Sequence, residues 1–515
     1  MVSSFTAVRR TALAALTALS AGFSPLAAQS NIPALQESLD QWYASAARTA
    51  PGVWGVAVAD QNGTILWSVR PNDPLIPAST VKVLTTGFAR SVLGGDARRP
   101  TRVVGSGRVD PATGDWIGNW ALELNGDPTL ERAGRNGPSL FELAQQLRAA
   151  GIRRLYGPLE IRSADGPATA AYPTVWAARH RGRLFAPLVG ALTVNENVIS
   201  VTVKPGPKSG STARLVGTGP DGLASSVKVT ARTRAGRRTR LVLQSTKAGG
   251  WLVTGTIGVK AGPQRLVATS RDPRKVIEAV WASALKRADI TWTRAKSFDE
   301  PDATPAVLAE ITSPILDSVA SEVNTRSLNI GAELLLEWAG GRSGAPQRLV
   351  KHVQDVTGRT SGIHLVDGSG LSHLDRVSPS VFVSYLARFP ATPAGRNFTQ
   401  LLPANGMGTL RRLNAGFPGA GVVRAKTGTL NNVATVVGYL GRPDGVLLLS
   451  LMYNGPQTWS ARQEQWKLFR RLGADGVVID ADTFSPEPQF GSDDETPPDA
   501  PAPLIEWWPV PDTDS

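Results

Sequence analysis

The chain has 515 residues, of which 42% are hydrophobic and 19% are charged, and it contains no cysteine. These values are typical of a globular protein with material for roughly three domains. The lack of cysteine excludes a disulfide framework, a thiol nucleophile and a cysteine-ligated zinc site. The four histidines, at 180, 352, 364 and 373, show no ligand spacing, so we expect neither a metal site nor a cofactor.

Residues 1–28 have the order of features of an export signal. Arg9 and Arg10 supply positive charge, Thr11 to Gly22 are mostly apolar, and Pro25 to Ala28 offer small residues for cleavage. A buried N-terminal helix is the alternative, but this ordering favours a signal. The arginine pair is followed by no aromatic residue of the twin-arginine type, so the general export route is favoured.

The next segment, 29–98, predicts helix, hairpin and helix. Pro33 to Ala47 has apolar residues spaced for one helix face. Val53 to Asp60 and Thr64 to Arg70 read as strands, since the Asn62-Gly63 pair between them is a strong hairpin signal. A helix is expected from near Ser79 to about Leu93, with four residues facing inward: Val83, Leu84, Phe88 and Val92.

Residues 99–300 have a different sequence pattern, in which short segments of alternating apolar and polar residues are separated by turns rich in Gly, Pro and basic residues. This pattern predicts a β-rich insertion of one or two small subdomains. The predicted strands are Leu155 to Ile161, Val198 to Val203, Ser226 to Ala231, Arg240 to Leu243 and Leu252 to Val259. One helix is expected near its end, from about Pro273 to Arg287.

Residues 301–483 return to long helices and then to strands. The predicted helices are Leu328 to Ala339, Pro379 to Arg388 with Ser378 as N-cap, and Ser460 to Leu472. The predicted strands are Val422 to Thr429, Ala434 to Leu440 and Val446 to Tyr453. Together with the two strands predicted between residues 53 and 70, these elements predict an α+β domain. Its sheet has about five antiparallel strands and is covered by helices on both faces. The remaining residues, 484–515, are rich in Pro and acidic residues and are expected to be disordered.

The net charge of +13 is unevenly distributed. Residues 201–296 hold 19 Lys and Arg against 4 Asp and Glu, whereas residues 484–515 hold 8 acidic residues and no basic one. The basic stretch is either a solvated face without a dedicated partner or a surface for an anionic partner. For an exported protein, a wall polymer or a membrane surface is the expected partner, rather than nucleic acid.

A candidate nucleophile lies in Ser79-Thr80-Val81-Lys82. Residues i and i+3 share a helix face, so the Lys82 amine lies beside the Ser79 hydroxyl and can take its proton. The motif occurs twice more. Ser225 to Lys228 lie in a strand-like run, in which i and i+3 face opposite sides, and Ser283 lies inside a helix where backbone N–H groups are already bonded. Only Ser79 is expected at a helix start, where free N–H groups can bind an oxyanion.

Two further motifs follow in order. Ser327-Leu328-Asn329 lies at the start of a helix, where Ser and Asn are either capping residues or a proton relay and a substrate-fixing amide. Lys426-Thr427-Gly428, followed by Thr429, lies in a predicted strand. Its cation and hydroxyl suit a terminal carboxylate, and a glycine there allows a peptide to approach the strand edge.

These motifs resemble those of the low-molecular-mass, class C penicillin-binding proteins, the D-alanyl-D-alanine carboxypeptidase/endopeptidases. The 248 positions from Ser79 to Ser327 leave room for the long insertion of this family. The middle residue of the second motif, Leu328, departs from the Asp that the family often has. Four further segments resemble the family: Gly126 to Leu130, Ala191 to Asn197, Asp367 to Ser372, and Leu402 to Leu410.

The resemblance implies a penicillin-binding, serine β-lactamase-like transpeptidase domain and the roles of its residues. Ser79 is the nucleophile, Lys82 the general base and Ser327 the proton relay to the leaving amine. The expected substrate-binding residues are Asn329, Lys426, Thr427, Gly428, Thr429 and Asp127, the last for the diamino acid of the stem peptide. The N–H groups of Ser79 and Thr429 are expected to form the oxyanion hole.

The implied substrates are peptidoglycan stem peptides, with β-lactams as covalent inhibitors, and the implied location is outside the cytoplasm. Two alternatives stay open. A β-lactamase or esterase on the same fold would turn over a β-lactam rapidly. A non-catalytic wall-binding protein would bind isolated wall without releasing alanine or forming a penicillin adduct.

Overall fold

The computed structural model describes residues 32–132, 137–164, 166–246, 249–294, 305–481 and 483–484. The export signal expected at residues 1–28 and nearly all of the expected acidic tail lie outside these residues. None of the helices among the described residues has both the length and the apolar character that a membrane span requires.

Helices and strands alternate in blocks along the described chain. Helices α1 to α9 are, in chain order, Ile32–Thr49, Val81–Leu93, Leu140–Ala149, Pro273–Arg287, Leu316–Arg326, Asn329–Gly340, Ala345–Thr357, Pro379–Arg388 and Thr458–Leu472. Strands β1 to β7 are Val53–Ala59, Ile65–Val69, Pro100–Val109, Trp116–Glu123, Arg154–Tyr156, Glu160–Ser163 and Gly166–Pro167. Strands β8 to β14 are Val198–Lys204, Arg214–Gly219, Val227–Val229, Arg232–Arg234, Arg240–Ser245, Trp251–Gly258 and Gln264–Thr269. Strands β15 to β21 are Thr291–Thr293, Ala306–Thr312, Ile363–His364, Arg376–Val377, Val423–Leu430, Val433–Arg442 and Gly445–Asn454.

The central sheet has five antiparallel strands in the order β19-β20-β21-β1-β2. Strands far apart in the sequence therefore lie side by side, and the predicted α+β domain is confirmed. One face packs against α1 and α9, and the other against α2 and α5 to α8. Because both faces are covered, β20 and β21 are apolar and buried along nearly their whole length.

The inserted region is rich in strands, as predicted. Among the described residues, its strands form four sheets that are separate from the central sheet. The largest has the order β16-β3-β4-β6-β7, and a second has the order β10-β13-β11, with β12 also pairing with β13. The two small sheets have the orders β14-β8-β9 and β15-β5. The main hydrophobic core of the insertion is separate from the two cores that cover the central sheet, and it includes residues of α3 and α4. Strand β16 begins at Ala306 and pairs with β3, so it belongs to the sheets of the insertion. The boundary expected at residue 300 stays a prediction, and this pairing favours one after Thr312.

Two details of the sequence prediction were wrong. Val92 was expected to face inward, but it is 52% exposed because it lies on the outer side of the last turn of α2. The single strand predicted from Leu155 to Ile161 is two strands, β5 and β6. Gly157, with φ +93°, turns the chain between them, and they join different sheets.

Candidate active site

The candidate nucleophile lies on one turn of 3-10 helix, Ala78–Thr80, that continues into α2. Ala78 has φ +49°, which is strained for a residue with a side chain. Gly370 packs directly on its carbonyl, where an added Cβ would lie 1.9 Å from the Ala78 oxygen. The hydroxyls of Thr80 and Thr435 each donate to the Pro77 carbonyl at 2.7 Å. The turn that presents Ser79 is therefore fixed by its surroundings.

Lys82 lies one turn after Ser79, and its side chain is fully buried. Its Nζ donates to Ser79 Oγ at 3.0 Å, to Asn329 Oδ1 at 2.7 Å and to the Ser369 carbonyl at 2.6 Å. Burial lowers the pKa of Lys82 to about 7, against the opposing effect of nearby carboxyl groups. An amine with this pKa exists partly in the neutral form near neutral pH, and the neutral form can accept the serine proton.

Three buried carboxyl groups, those of Glu333, Asp367 and Asp375, lie behind Lys82. Glu333 accepts the N–H groups of residues 368 and 369 at 3.1 and 2.9 Å, and Asp367 accepts those of residues 370 and 372 at 2.6 and 2.8 Å. Burial raises the pKa of Glu333 to about 8 and raises that of Asp375 well above its usual range. These bonds hold the loop that places the Ser369 carbonyl on Lys82.

Ser327 and Lys426 form the second pair of the site. Ser327 joins α5 to α6 and has φ +58°, a left-handed backbone conformation that is uncommon outside glycine. Lys426 on β19 donates from Nζ to Ser327 Oγ at 2.9 Å and to the Thr427 carbonyl at 2.7 Å. Burial, followed by the charges of Lys82 and Arg462, lowers the pKa of Lys426 well below its usual value.

Asn329 is the first residue of α6 and connects Lys82 to the inserted region. Its Oδ1 accepts from Lys82, and its Nδ2 donates to the Phe185 carbonyl of the insertion at 2.8 Å. A primary amide has two N–H donors, so one remains for a substrate carbonyl.

The edge of the central sheet forms the wall of the site next to Ser79. Strand β19 pairs with β20 on one side only, and Ala404 bridges its other side at Arg424. Among the described residues, none pairs along the outer edge of residues 427–430. Arg462 braces this segment from behind, with Nη2 donating to the Gly428 carbonyl at 2.7 Å. The open edge can therefore accept an extended peptide as an added strand.

We expect Gly428→Ala to destabilise the protein by about 1–3 kcal/mol, the usual cost of overpacking. An added Cβ would lie 2.7 Å from the Pro77 carbonyl oxygen and 2.9 Å from the Ser79 nitrogen, and these backbone atoms belong to the fixed turn. Thermal unfolding measures the effect. The matched control is Gly217→Ala, since nothing lies within 4 Å of a Cβ built there. Equal melting temperatures for the two variants would contradict the prediction.

The structure brings together all of the sequence-predicted site residues except Asp127. The Asp127 side chain is buried, and its Oδ1 accepts the N–H and the hydroxyl of Thr129 at 2.7 Å each. It therefore shapes its own loop through Oδ1, and its role in substrate binding stays a prediction. Of the rival serines, Ser225 lies in a turn before β10 and Ser283 lies within α4, both in the insertion.

Sequence reasoning missed Glu333 and Arg462. Glu333 had a signal, because it is an acidic residue four positions after Asn329 in an otherwise apolar stretch of helix, and residues i and i+4 share a face. Arg462 had none, because several charged residues of α9 look equally suited to a surface. Its burial is evident only once the sheet is assembled.

Comparison with known proteins gives consistent matches over most of the chain. The model of the D-Ala-D-Ala carboxypeptidase 3 (S13) family matches residues 35–472. A D-alanyl-D-alanine carboxypeptidase of an Actinomadura species is 27% identical over 435 residues, which is 78% of each chain. A carboxypeptidase of Mycobacterium tuberculosis is 27% identical over 407 residues, covering 75% of this chain and 72% of that protein. The crystal structure of penicillin binding protein 4 from Haemophilus influenzae shares the fold, with a TM-score of 0.66 at 19% identity over 83% of this chain and 99% of that one.

Proposed function

Because the chain belongs to the D-Ala-D-Ala carboxypeptidase 3 (S13) family and is a serine-type carboxypeptidase, we propose that it cleaves peptidoglycan stem peptides through an acyl-enzyme on Ser79. The observation that carries this proposal is the 3.0 Å hydrogen bond between the Ser79 hydroxyl and the buried Lys82 amine. Such a contact between nucleophile and base is what serine-based acyl transfer requires.

In the acylation step, neutral Lys82 takes the proton of Ser79 as Oγ attacks the carbonyl of the penultimate D-Ala. The negative charge that develops on the carbonyl oxygen is stabilised by the N–H groups of Ser79 and Thr429. Ser327 passes its proton to the nitrogen of the terminal D-Ala, whose bond to the carbonyl breaks, and takes in return the proton that Lys82 removed from Ser79, so that Lys82 is neutral again. The contact between Ser327 and Lys426 supports this role, because an amine that donates a hydrogen bond to the hydroxyl oxygen makes the hydroxyl a better proton donor.

Substrate binding uses the open edge of β19. The peptide lies along residues 427–430, its terminal carboxylate faces Lys426 and the Thr427 hydroxyl, and the free N–H of Asn329 binds a backbone carbonyl. A charged donor to a carboxylate forms a stronger hydrogen bond than a neutral one. Water then attacks the ester carbonyl, and Lys82 accepts a proton from this water. The bond from the carbonyl carbon to Ser79 Oγ breaks, Lys82 returns the proton to Oγ, and the shortened peptide is released.

We infer that β-lactams acylate Ser79 and that the enzyme acts outside the cytoplasm, where its substrate is found. The expected export signal supports this location, and the penicillin binding protein with the same fold supports the reaction with β-lactams. The basic residues 201–296 stay a predicted surface for anionic wall polymers, which salt-dependent binding to isolated walls would test.

Mass spectrometry of purified muropeptides tests the proposed substrate. We expect pentapeptide species to lose the mass of one alanine residue during incubation with the enzyme, because the terminal D-Ala is the leaving group. Endopeptidase action would also convert cross-linked dimers into monomers, so the two activities are distinguishable in one experiment. Unchanged muropeptides, together with retained binding to isolated wall, would instead support the non-catalytic alternative.

A further inference from the structure

A strained turn of the insertion faces the second motif. Asn195, Glu196 and Asn197 have φ values of +47°, +59° and +53°, three left-handed residues in succession. Each such residue costs of order 1–3 kcal/mol and persists only where its surroundings determine it. The structural consequence here is that the Glu196 side chain contacts the last residue of α5.

Hydrogen bonds hold this turn on both sides. The Asn197 amide donates to the carbonyls of Leu188 and Leu192 at 3.0 and 2.9 Å and accepts the Val194 N–H at 3.3 Å. The Asn195 N–H donates to the Leu130 carbonyl at 2.7 Å. The direction of Glu196 is thus fixed by its own neighbours as well as by its partner.

The partner of Glu196 is Arg326, the last residue of α5. The contact is bidentate, from Nη1 to Oε1 at 2.5 Å and from Nη2 to Oε2 at 2.9 Å. Arg132 of the insertion lies 3.1 Å from Glu196 and also pairs with Glu322, one turn before Arg326 on α5. The Glu196 side chain is only 13% exposed, and a partly buried bidentate pair holds its geometry far better than an exposed one.

Arg326 directly precedes Ser327 in the chain. Helix α5 ends at Arg326, and the chain reverses into α6 through the left-handed Ser327. A small rotation of the last turn of α5 would move the Ser327 hydroxyl, which has to stay 2.9 Å from Lys426 Nζ. The Glu196 carboxylate, together with Glu322 of α5, therefore holds the residue on which the position of Ser327 depends.

The other end of the motif is also held by the insertion. The Phe185 carbonyl accepts from Asn329, and the Trp176 indole donates to Asp367, the residue that organises the loop behind Lys82, at 3.1 Å. Trp176, Ala186 and Val189 belong to the same hydrophobic cluster as α2 and α5 to α8. Residues 176–197 thus contact both ends of the second motif and the loop behind Lys82.

We propose that the insertion is a working part of the catalytic centre, and that Glu196 is a positioning residue which sets the Ser327 hydroxyl for proton transfer through Arg326. This rests on the relay role given to Ser327 in the proposed function. It assigns to the insertion a contribution to the rate of acylation, distinct from any binding of wall polymers.

The test is Glu196→Gln, which keeps the size of the side chain and removes its charge. We expect kcat for D-Ala release to fall about 10- to 100-fold, because a displacement of about 1 Å in a catalytic group costs up to about 10²-fold. KM should change less than about twofold, since a relay acts on the transition state and not on ground-state binding. The rate of acylation by a fluorescent penicillin should fall in parallel, and Glu196→Asp should restore part of it.

The matched control is Asp317→Asn at the opposite end of α5. Asp317 forms a comparable bidentate pair with Arg90, at 2.8 and 3.0 Å, and neither residue belongs to the active site. This variant should lose similar thermal stability while kcat stays within about twofold of wild type. A loss of kcat as large as that of Glu196→Gln would mean that any loosening of α5 impairs the enzyme, and would overturn the proposal.

The same substitution in a Ser327→Ala background separates this inference from the proposed function. If Glu196 acts through Ser327, adding Glu196→Gln to Ser327→Ala should not slow acylation further. If the two substitutions together slow acylation by the product of their separate effects, the inference is overturned. The same holds if Glu196→Gln alone acylates at the wild-type rate. Either result leaves the proposed function intact. Wild-type acylation by Ser327→Ala itself would overturn the relay role, and this inference with it.

Discussion

Ser79→Ala is expected to abolish covalent labelling by a penicillin and to lower the rate of D-Ala release by about 10⁴-fold or more, as for the loss of other catalytic serines. The Ser79 hydroxyl is the group that contacts Lys82, and alanine offers no atom that could form the ester. Intact-protein mass spectrometry measures the adduct, and a chromogenic or mass-based assay measures D-Ala. The variant should remain folded, because the substitution removes one partly exposed oxygen.

The chain itself provides a control of the same type. Ser283→Ala removes the serine of another Ser-x-x-Lys sequence, inside α4 of the insertion. This variant should label and turn over like wild type. Labelling of Ser79→Ala at the wild-type rate, or loss of labelling in Ser283→Ala, would contradict the assignment of the nucleophile.

The sequence predicts the site well wherever a group and its partner are close in the chain. Ser79 and Lys82 are one helical turn apart, so their contact follows from helix geometry alone. The strand that carries Lys426 and the helix that follows Ser327 have clear apolar patterns, so their approximate positions are also predictable. The order of the three motifs then indicates a common site.

Contacts between distant segments are different, because no local pattern encodes them. Nothing near Glu196 indicates that its partner is Arg326, and the hydrogen bond between Phe185 and Asn329 uses a backbone carbonyl that every residue possesses. Asp127 shows the reverse case, because one oxygen of this acidic residue accepts hydrogen bonds from its own loop. Its burial depends on how the insertion packs, and this packing is decided by the assembled fold.

Strands β3 and β4 were also absent from the prediction. They contain Gly105, Gly107 and Gly118, which interrupt the alternation of apolar and polar residues. In the structure these glycines allow the two strands to approach closely, since a Cβ on Gly118 would lie 2.0 Å from the Ser106 carbonyl oxygen. The glycines that hide the strand pattern in the sequence are therefore the residues that the close packing of β3 and β4 requires.

Lys82→Gln is the second large expected effect. Removing a general base typically costs about 10² to 10⁴-fold, and glutamine cannot accept the Ser79 proton. In wild type, the acylation rate should rise with pH to a plateau, with a midpoint near the Lys82 pKa of about 7, because only the neutral amine acts as base. In the variant, the step in the profile near pH 7 should be missing. Stopped-flow acylation by a penicillin between pH 5 and 9 measures both.

Glu333→Gln tests whether Lys82 is the group that titrates at that midpoint. The Glu333 carboxylate raises the Lys82 pKa, in opposition to burial. Because the pKa of Glu333 is itself raised to about 8, this carboxyl group carries only part of its charge near pH 7. Removing that charge should therefore move the midpoint slightly to lower pH, while the plateau rate stays within about threefold. The sign follows from the charges: without a neighbouring anion, the lysine cation is less stable and loses its proton more readily. An upward shift of the midpoint in Glu333→Gln would mean that a group other than Lys82 titrates. An unchanged midpoint in Glu333→Gln, together with a step that is still present in Lys82→Gln, would mean the same. In either case Lys82 would no longer be assigned as the base.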